Sequence, residues 1–264
     1  RVSPYCPRCG TTLSDHELAQ GYETVVDPSV FVTCEVTDGD LAQRFPGVAL
    51  LVWTTTPWTL VSNTAVAVSA EATYVVAHKD GQTLVVAEDL LGATLGEDAE
   101  ILHRLPGADL QGVHYRAPFD LVDIPAAHYV IQGDFVTTSD GSGIVHLAPA
   151  FGADDMAVCR AYDLPVVNPV TTDGHFGAEV PLVGGQFFKH ADEDLVADLD
   201  RRGLLFKRVP YEHAYPHCWR CHTPLIYYAL PSWYIRTTAI KDELLAQNEA
   251  TNWYPQTIQW GRYG

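Results

Sequence analysis

The 264-residue chain is 47% apolar and 19% charged, enough to bury the core of one large domain or of a domain with a small appendage, and not the composition of a disordered tail. Its formal charge of −17 argues against non-specific binding along a nucleic-acid backbone, where each phosphate neutralised needs a protein cation. The longest unbroken apolar run, Val48 to Trp53, falls far short of the roughly 20 residues that span a bilayer, and no charged-then-apolar leader opens the sequence, so neither a membrane-spanning nor a pre-secretory chain is expected. With Met156 as its sole methionine and Arg1-Val2-Ser3 at its start, the chain is expected to be a piece of something longer.

The chain opens on Pro4-Tyr5-Cys6-Pro7-Arg8-Cys9-Gly10-Thr11-Thr12-Leu13, and Pro216-His217-Cys218-Trp219-Arg220-Cys221-His222-Thr223-Pro224-Leu225 repeats its pattern P-x-C-x-R-C-x-T-x-L near the far end. Six cysteines in a secreted chain suggest a disulfide framework, but four of these form two C-x-x-C pairs with matching flanks. A tight turn aims two thiolates at one point, so Cys6, Cys9, Cys218 and Cys221 can supply the four sulfurs of a tetrahedral Zn2+, with redox pairs and disulfides as the alternatives. Such a closed shell leaves no position for a water, which makes the zinc structural. It also staples the two chain ends, and everything between residues 10 and 217 becomes an insertion hung from the clasp. Cys34 and Cys159 read as buried thiols, and His217 and His222 as stand-in ligands.

Between the knuckles, strands are predicted over Val48–Trp53, Ala65–Val68, Thr73–Ala77, Thr83–Ala87, Ile101–Arg104, His128–Gln132 and Ile144–Leu147, separated by turns such as Lys79-Asp80-Gly81 and Ser139-Asp140-Gly141-Ser142-Gly143. Helices are predicted from Glu88 to Leu95, from Asp154 to Tyr162, along the Ala191, Leu195, Leu199 spacing with Gly203 as a left-handed cap, and from Thr238 to Asn248. The order does not alternate regularly, which argues against a doubly wound sheet and for a mainly β chain with helices (α+β), built as a barrel or sandwich. Residues 1–200 hold 29 acidic and 8 basic side chains, whereas residues 201–264 hold 4 and 8. Arg201, Arg202, Lys207 and Arg208 read either as a solvated helix end or as a local phosphate contact.

Two constellations carry chemistry. In Leu51-Val52-Trp53-Thr54-Thr55-Thr56-Pro57-Trp58-Thr59-Leu60 a buried strand runs into three threonines and stops at Pro57. Threonine favours strands for its own sake, but a proline that removes the next ladder donor puts these hydroxyls at a strand end, where they can face a ligand. In Gly141-Ser142-Gly143-Ile144-Val145-His146-Leu147-Ala148-Pro149-Ala150-Phe151-Gly152-Ala153-Asp154-Asp155 a short strand ends at His146 and two carboxylates open a helix. One aspartate suffices to cap that helix, leaving its neighbour, held ionised by the helix N-terminus, free to pair with an ammonium group. There is no serine elbow, second metal-ligand cluster or phosphate loop. Residue types alone lead to a polar pocket that binds an amine and guides a water.

At Trp53-Thr54-Thr55-Thr56-Pro57-Trp58-Thr59-Leu60 and His146-Leu147-Ala148-Pro149-Ala150-Phe151-Gly152-Ala153-Asp154-Asp155 the chain closely resembles the inserted editing domain (connective polypeptide, CP1) of the isoleucyl-tRNA synthetase family. The likeness covers nearly all of the chain, including Leu13-Ser14-Asp15-His16-Glu17 and the exit segment from Ser232-Trp233-Tyr234 through Asn252-Trp253-Tyr254-Pro255 to Gly261-Arg262-Tyr263-Gly264, which looks like the return into the synthetic domain. Valyl and leucyl relatives typically carry T-T-R-P followed by an acidic residue; Thr56 and Trp58 stand at the arginine and acidic positions, which favours the isoleucyl type. The H-I-G-H and K-M-S-K-S signatures of the activating domain, where ATP binds in such enzymes, are absent.

The resemblance implies a β-barrel-like editing domain over residues 41–209, an N-terminal knuckle and connector over 1–40, and a second knuckle and return segment over 210–264. It implies a cytoplasmic deacylase, monomeric as a fragment, that hydrolyses valine from tRNA(Ile). A pocket sized for isoleucine rejects valine poorly because one methylene is worth little, and the isoleucyl enzyme is itself the worked case for that rule. By resemblance Asp155 grips the substrate ammonium, His146 shapes the side-chain pocket near the terminal ribose, Thr54, Thr55 and Thr56 cradle the ester, and Trp53, Thr59 and Asn63 are further substrate contacts. A positioned water attacks, with hydroxyl and backbone donors holding the oxyanion. Only the tRNA 3′ end enters, the rest of the synthetase holding the tRNA body. The alternatives are a valyl-type domain acting on threonyl-tRNA and a non-catalytic zinc-ribbon RNA-binding module.

Overall fold

Runs of valine, leucine and alanine with no polar alternation must be covered on both faces, and the computed structural model, which describes residues 1–262, buries them in the middle of a large mixed sheet. The strands are β1 (Val2–Cys6), β2 (Thr11–Thr12), β3 (Tyr22–Glu35), β4 (Ala49–Thr54), β5 (Ala65–Val68), β6 (Thr73–Lys79), β7 (Gln82–Ala87), β8 (Glu100–Pro106), β9 (Val130–Gln132), β10 (Ile144–Leu147), β11 (Leu205–Pro216) and β12 (Ile226–Ala229). Nine of them form one sheet, ordered β8-β6-β7-β4-β10-β5-β9 with β3 on β4 and β11 on β3, an open half-barrel. The other three, β12-β1-β2, form a small sheet that joins the two ends of the first compact unit, Arg1–Leu230; a second unit begins at Pro231 and carries the helix Lys241–Ala250. Tyr263 and Gly264, the end of the expected return segment, lie outside the described residues.

All seven expected strands form, Ala65–Val68 and Ile144–Leu147 with the expected ends. Gly203 takes the left-handed conformation (φ +70°) after the helix Ala191–Arg201. The expected helix from Glu88 to Leu95 is a tight turn over Glu88–Leu90 followed by Leu91–Thr94. The longest feature is one the pattern did not predict: β3 and β11 pair antiparallel from Tyr22↔Pro216 to Val32↔Leu205. Pro28 lies opposite Pro210, so neither strand loses a ladder partner there, although each proline disguises its strand in the sequence. This ribbon joins segments on both sides of the domain limits expected at residues 40 and 209.

The basic stretch is also divided by the fold. Arg201 and Arg202 both pair with Asp198, and Arg202 further donates to Pro118 O at 2.7 Å and covers the Phe119 ring, while Lys207 and Arg208 lie on β11. A shared solvated helix end is therefore not what the four residues make.

Behind the sheet, Ala191–Arg201 packs Leu195, Val196 and Leu199 against the tight turn Pro57–Ser62 that follows β4. Trp58 fills this junction, its ring 4.7 Å from Phe151 and 4.8 Å from Phe188. Its backbone N–H donates to Asp192 Oδ1 at 2.8 Å. Burial pushes the Asp192 carboxyl up to about 7, against the pull of Lys189 and of that N–H. A carboxyl whose pKa is raised on folding favours the folded state at low pH, and that contribution fades as pH climbs from about 4 through about 7. Asp192→Asn keeps the acceptor for Trp58 and removes the titration. Denaturant melts at pH 4.5 and pH 8 should show the wild type losing on the order of 2 kcal/mol relative to Asp192→Asn over that interval; parallel pH profiles would contradict a buried, titrating Asp192.

Candidate functional site

The site forms where the sheet branches. β4 pairs along one edge with β3, and on its other edge parallel with β7 at Ala49 and Leu50 and then with β10 at Trp53↔Val145. The last turn of β4 and the last residues of β10 therefore finish side by side. Pro57 opens the tight turn Pro57–Ser62 and ends the ladder, so Thr54, Thr55 and Thr56 lie at the strand end as expected, Thr54 as its last paired residue opposite Val30. The chain leaving β10 passes Ala148 and enters the helix Ala153–Ala161, which brings Asp155 back to the same point.

Trp53, Thr54, Thr55, Thr56, Thr59, His146 and Asp155 line one cavity of about 280 Å³, closed by Val145, Ala148, Phe151 and Gly152. Seven of the eight expected site residues thus meet. The eighth, Asn63, does not line the cavity: it is buried behind His146, with Nδ2 2.8 Å from His146 Nδ1 and donating to Ala65 O at 3.0 Å. A more open cavity of about 790 Å³ lies beside the cysteine knuckles, lined by Arg8, His175, Phe187 and Lys189 among others; none of the expected residues reaches it, and the expected residues gather in the smaller one.

The threonine hydroxyls are linked to one another. Thr54 Oγ1 is 3.2 Å from Thr56 Oγ1, which is 2.9 Å from Thr59 Oγ1, and Thr59 donates to Thr56 O at 2.7 Å. His146 Nε2 lies 3.0 Å from Thr59 Oγ1. Burial pushes the imidazole down to about 3, so the ring is neutral at any physiological pH.

Asp155 differs from its expected state. The N-cap position of its helix is Gly152, no side chain caps the helix, and Asp155 Oδ2 instead accepts from Ala148 N–H at 2.8 Å. Burial outweighs that hydrogen bond and the one from its own backbone N–H and pushes the carboxyl up to about 6, with neighbouring Asp154 adding to the rise, so Asp155 is ionised at neutral pH but less firmly than the helix terminus alone suggested. Among the described residues no cation pairs with Asp155. Gly152 was missed by sequence reasoning: a Cβ there would stand 2.5 Å from the Asp155 carboxyl carbon, so any larger residue would push this carboxylate from its present place. The G-x-x-D spacing was the signal available.

The four knuckle cysteines also converge, all their sulfurs within 4.8 Å of one another. Four sulfurs each about 2.3 Å from a central ion stand about 3.8 Å apart. The Cys6–Cys221, Cys9–Cys221 and Cys9–Cys218 separations are 3.6, 3.6 and 4.0 Å, so the set is compatible with a tetrahedral ion. The sequence repeat is a backbone repeat too, Gly10 and His222 both being left-handed (φ +64° and +57°) after the second cysteine of each knuckle. Neither histidine joins the cluster; His217 Nδ1 lies by Tyr215 O and His222 Nδ1 by Glu23. Cys34 and Cys159 are buried thiols, each pushed up to about 12.

The chain is an α+β half-barrel with a cysteine clasp and a small carboxylate-and-threonine pocket, and comparison with known proteins assigns its family. The family model for class I tRNA synthetases (I, L, M and V) matches residues 1–264, and the chain belongs to that family. It is 64% identical over its whole length to an isoleucine–tRNA ligase of Streptomyces coelicolor and 65% identical to that of Thermobifida fusca, and it spans 25% of the length of each. In fold it is similar to the crystal structure of GlLeuRS-CP1 (TM-score 0.55, 15% identity, 69% of this chain and 99% of that one). It is likewise similar to the editing domain of the P. knowlesi cytosolic leucyl-tRNA synthetase (TM-score 0.52, 13% identity, 71% and 98%).

The clasp gives a direct expectation. Cys218→Ser should reduce bound metal, measured by elemental analysis, from one ion per chain to none and lower the thermal midpoint by several degrees. Unchanged metal content would show that the cysteines hold no ion.

Proposed function

We propose that this chain is the editing domain of an isoleucine–tRNA ligase and hydrolyses the ester of valine mistakenly attached to tRNA(Ile). One observation carries the reading: a buried carboxylate with no cationic partner among the described residues faces a small cavity whose other polar side-chain groups are hydroxyls, the Trp53 indole and one neutral imidazole. Burying a carboxylate unpaired is costly, and a free aminoacyl ester brings the missing ammonium. A cavity of about 280 Å³ suits a small aliphatic side chain and a ribose edge rather than a large ligand.

In this reading Asp155 takes the α-ammonium, and Trp53, Phe151 and His146 bound the side-chain space. Thr54, Thr55 and Thr56 cradle the ester, and donors among their hydroxyls and backbone amides, engaged with one another in this structure, turn to the developing oxyanion while a water attacks the carbonyl. No side chain acts as nucleophile, and His146 is a wall and a hydrogen-bond donor rather than a base. Isoleucine is excluded by the one extra methylene that the synthetic pocket could not use to reject valine. The rest of the synthetase and the tRNA are the partners, in the cytoplasm. Only the 3′ end enters a surface this acidic, with Lys207 and Arg208 the remaining cations of the basic stretch for guidance. The four-thiolate set has the donor chemistry of structural zinc, which would clamp the ends of the insertion and take no part in hydrolysis.

Asp155→Ala should reduce valine release from valyl-tRNA(Ile) by at least about a hundredfold, the worth of a charge-assisted contact of roughly 3 kcal/mol. Because the ammonium needs an ionised partner, wild-type deacylation should fall as pH drops through about 6, once correction is made for the base-catalysed background. Full activity in Asp155→Ala would remove the carboxylate from its assigned role. In His146→Ala the wall recedes, and isoleucyl-tRNA(Ile) should become a substrate; its continued protection would mean that another residue sets the size limit.

A further inference from the structure

The pocket histidine is held by a chain of hydrogen bonds that begins outside the cavity. Tyr115, buried in the core, donates its hydroxyl to Asn63 Oδ1 at 2.7 Å. Asn63 Nδ2 carries two protons, one donated to Ala65 O at 3.0 Å and the other facing His146 Nδ1 at 2.8 Å. Turning the amide over would set its oxygen against the Ala65 carbonyl, so the orientation is fixed by its partners. An amide N–H has no lone pair to offer, hence His146 Nδ1 must be the bare nitrogen and a neutral ring carries its proton on Nε2. That proton points at Thr59 Oγ1, 3.0 Å away.

The direction propagates. Thr59 spends its own proton on Thr56 O at 2.7 Å, so the Thr56 hydroxyl, 2.9 Å away, is a donor to Thr59. Thr54 Oγ1 accepts from Thr56 N–H at 3.1 Å, which leaves its proton for Thr56 Oγ1 at 3.2 Å. Asn63 is gripped a second time through its backbone, where His128 Nε2 lies 2.9 Å from Asn63 O, and the His128 ring meets Tyr115 edge-on at 6.0 Å.

We propose that Tyr115 is a positioning residue of the ester-hydrolysing site: by fixing the Asn63 amide it holds His146 as an Nε2–H donor and so sets the direction in which Thr54, Thr56 and Thr59 present their hydroxyls to the cavity. The effect on hydrolysis rests on the deacylase reading above; the tautomer lock does not. A buried tyrosine that merely satisfied its own hydroxyl would stabilise the core and leave the tautomer and the chemistry alone.

Nitrogen-15 NMR of histidine-labelled protein reads the lock directly. In the wild-type chain His146 should give the Nε2–H tautomer alone across pH 5.5–8, and an Nδ1–H or charged ring there would overturn the proposal. Tyr115→Phe keeps the ring and deletes the donor. His146 should then become a mixture of tautomers, and kcat for valyl-tRNA(Ile) should fall about tenfold, the worth of one buried hydrogen bond, with KM nearly unchanged. A folded Tyr115→Phe chain that retains the single Nε2–H tautomer, or that shifts tautomer with kcat unaltered, overturns the positioning role. A wild-type chain that releases no valine refutes the deacylase reading instead, while the NMR result still decides the lock.

Discussion

Everything at the site follows from one constraint on β4, which must satisfy partners on both edges within six residues. Its lower part is held by β7, and its exit by β10, through the single register pair Trp53↔Val145. A strand that changes neighbours in this way opens the sheet at the point of exchange, and side chains at its end face a gap rather than a packed layer. Proline at position 57 removes the next donor and makes the exit final. The loop after β10 then has few places to go, and the close approach allowed by Gly152 turns Asp155 back into the gap.

The same physics acts on two buried carboxylates with different outcomes. Burial raises both Asp155 and Asp192, but Lys189 and the Trp58 N–H lie around Asp192, and its oxygen secures the turn that carries Thr59. Asp155 has backbone donors, from Ala148 and from its own N–H, and an open cavity in front of it. One is a structural strut; the other lacks a cation among the described residues, the condition on which the proposed ammonium-bearing substrate rests. His146 follows a third course, kept neutral by burial and directed by amide and hydroxyl partners.

Much of this was legible in the sequence. Valine-rich runs between turn residues marked seven strands, the knuckle repeat marked the clasp, and the three threonines before Pro57 marked the strand end. What stayed hidden was non-local. The β3–β11 ribbon pairs residues far apart in the chain and carries a proline in each strand, which reads locally as a break. Asn63 followed from resemblance as a substrate contact, yet an asparagine after a turn gives no sign that its amide faces a histidine from β10 and a tyrosine from another segment. Tyr115 and Asp192 carry no motif; their importance exists only after folding has placed them. That Asp155 opens a helix was legible, whereas its depth of burial, which sequence does not report, raises its pKa to about 6.

The central claim is that an unpaired carboxylate and a threonine-lined strand end form a size-limited ester hydrolase. Its most direct test is the rate of amino-acid release from valyl-tRNA(Ile) and isoleucyl-tRNA(Ile), each presented to the metal-loaded, folded 264-residue chain. Rapid release of valine with isoleucine retained is the result expected. Release of both at equal rates, or of neither when the chain also fails to bind a non-hydrolysable valyl-adenosine mimic, would contradict it.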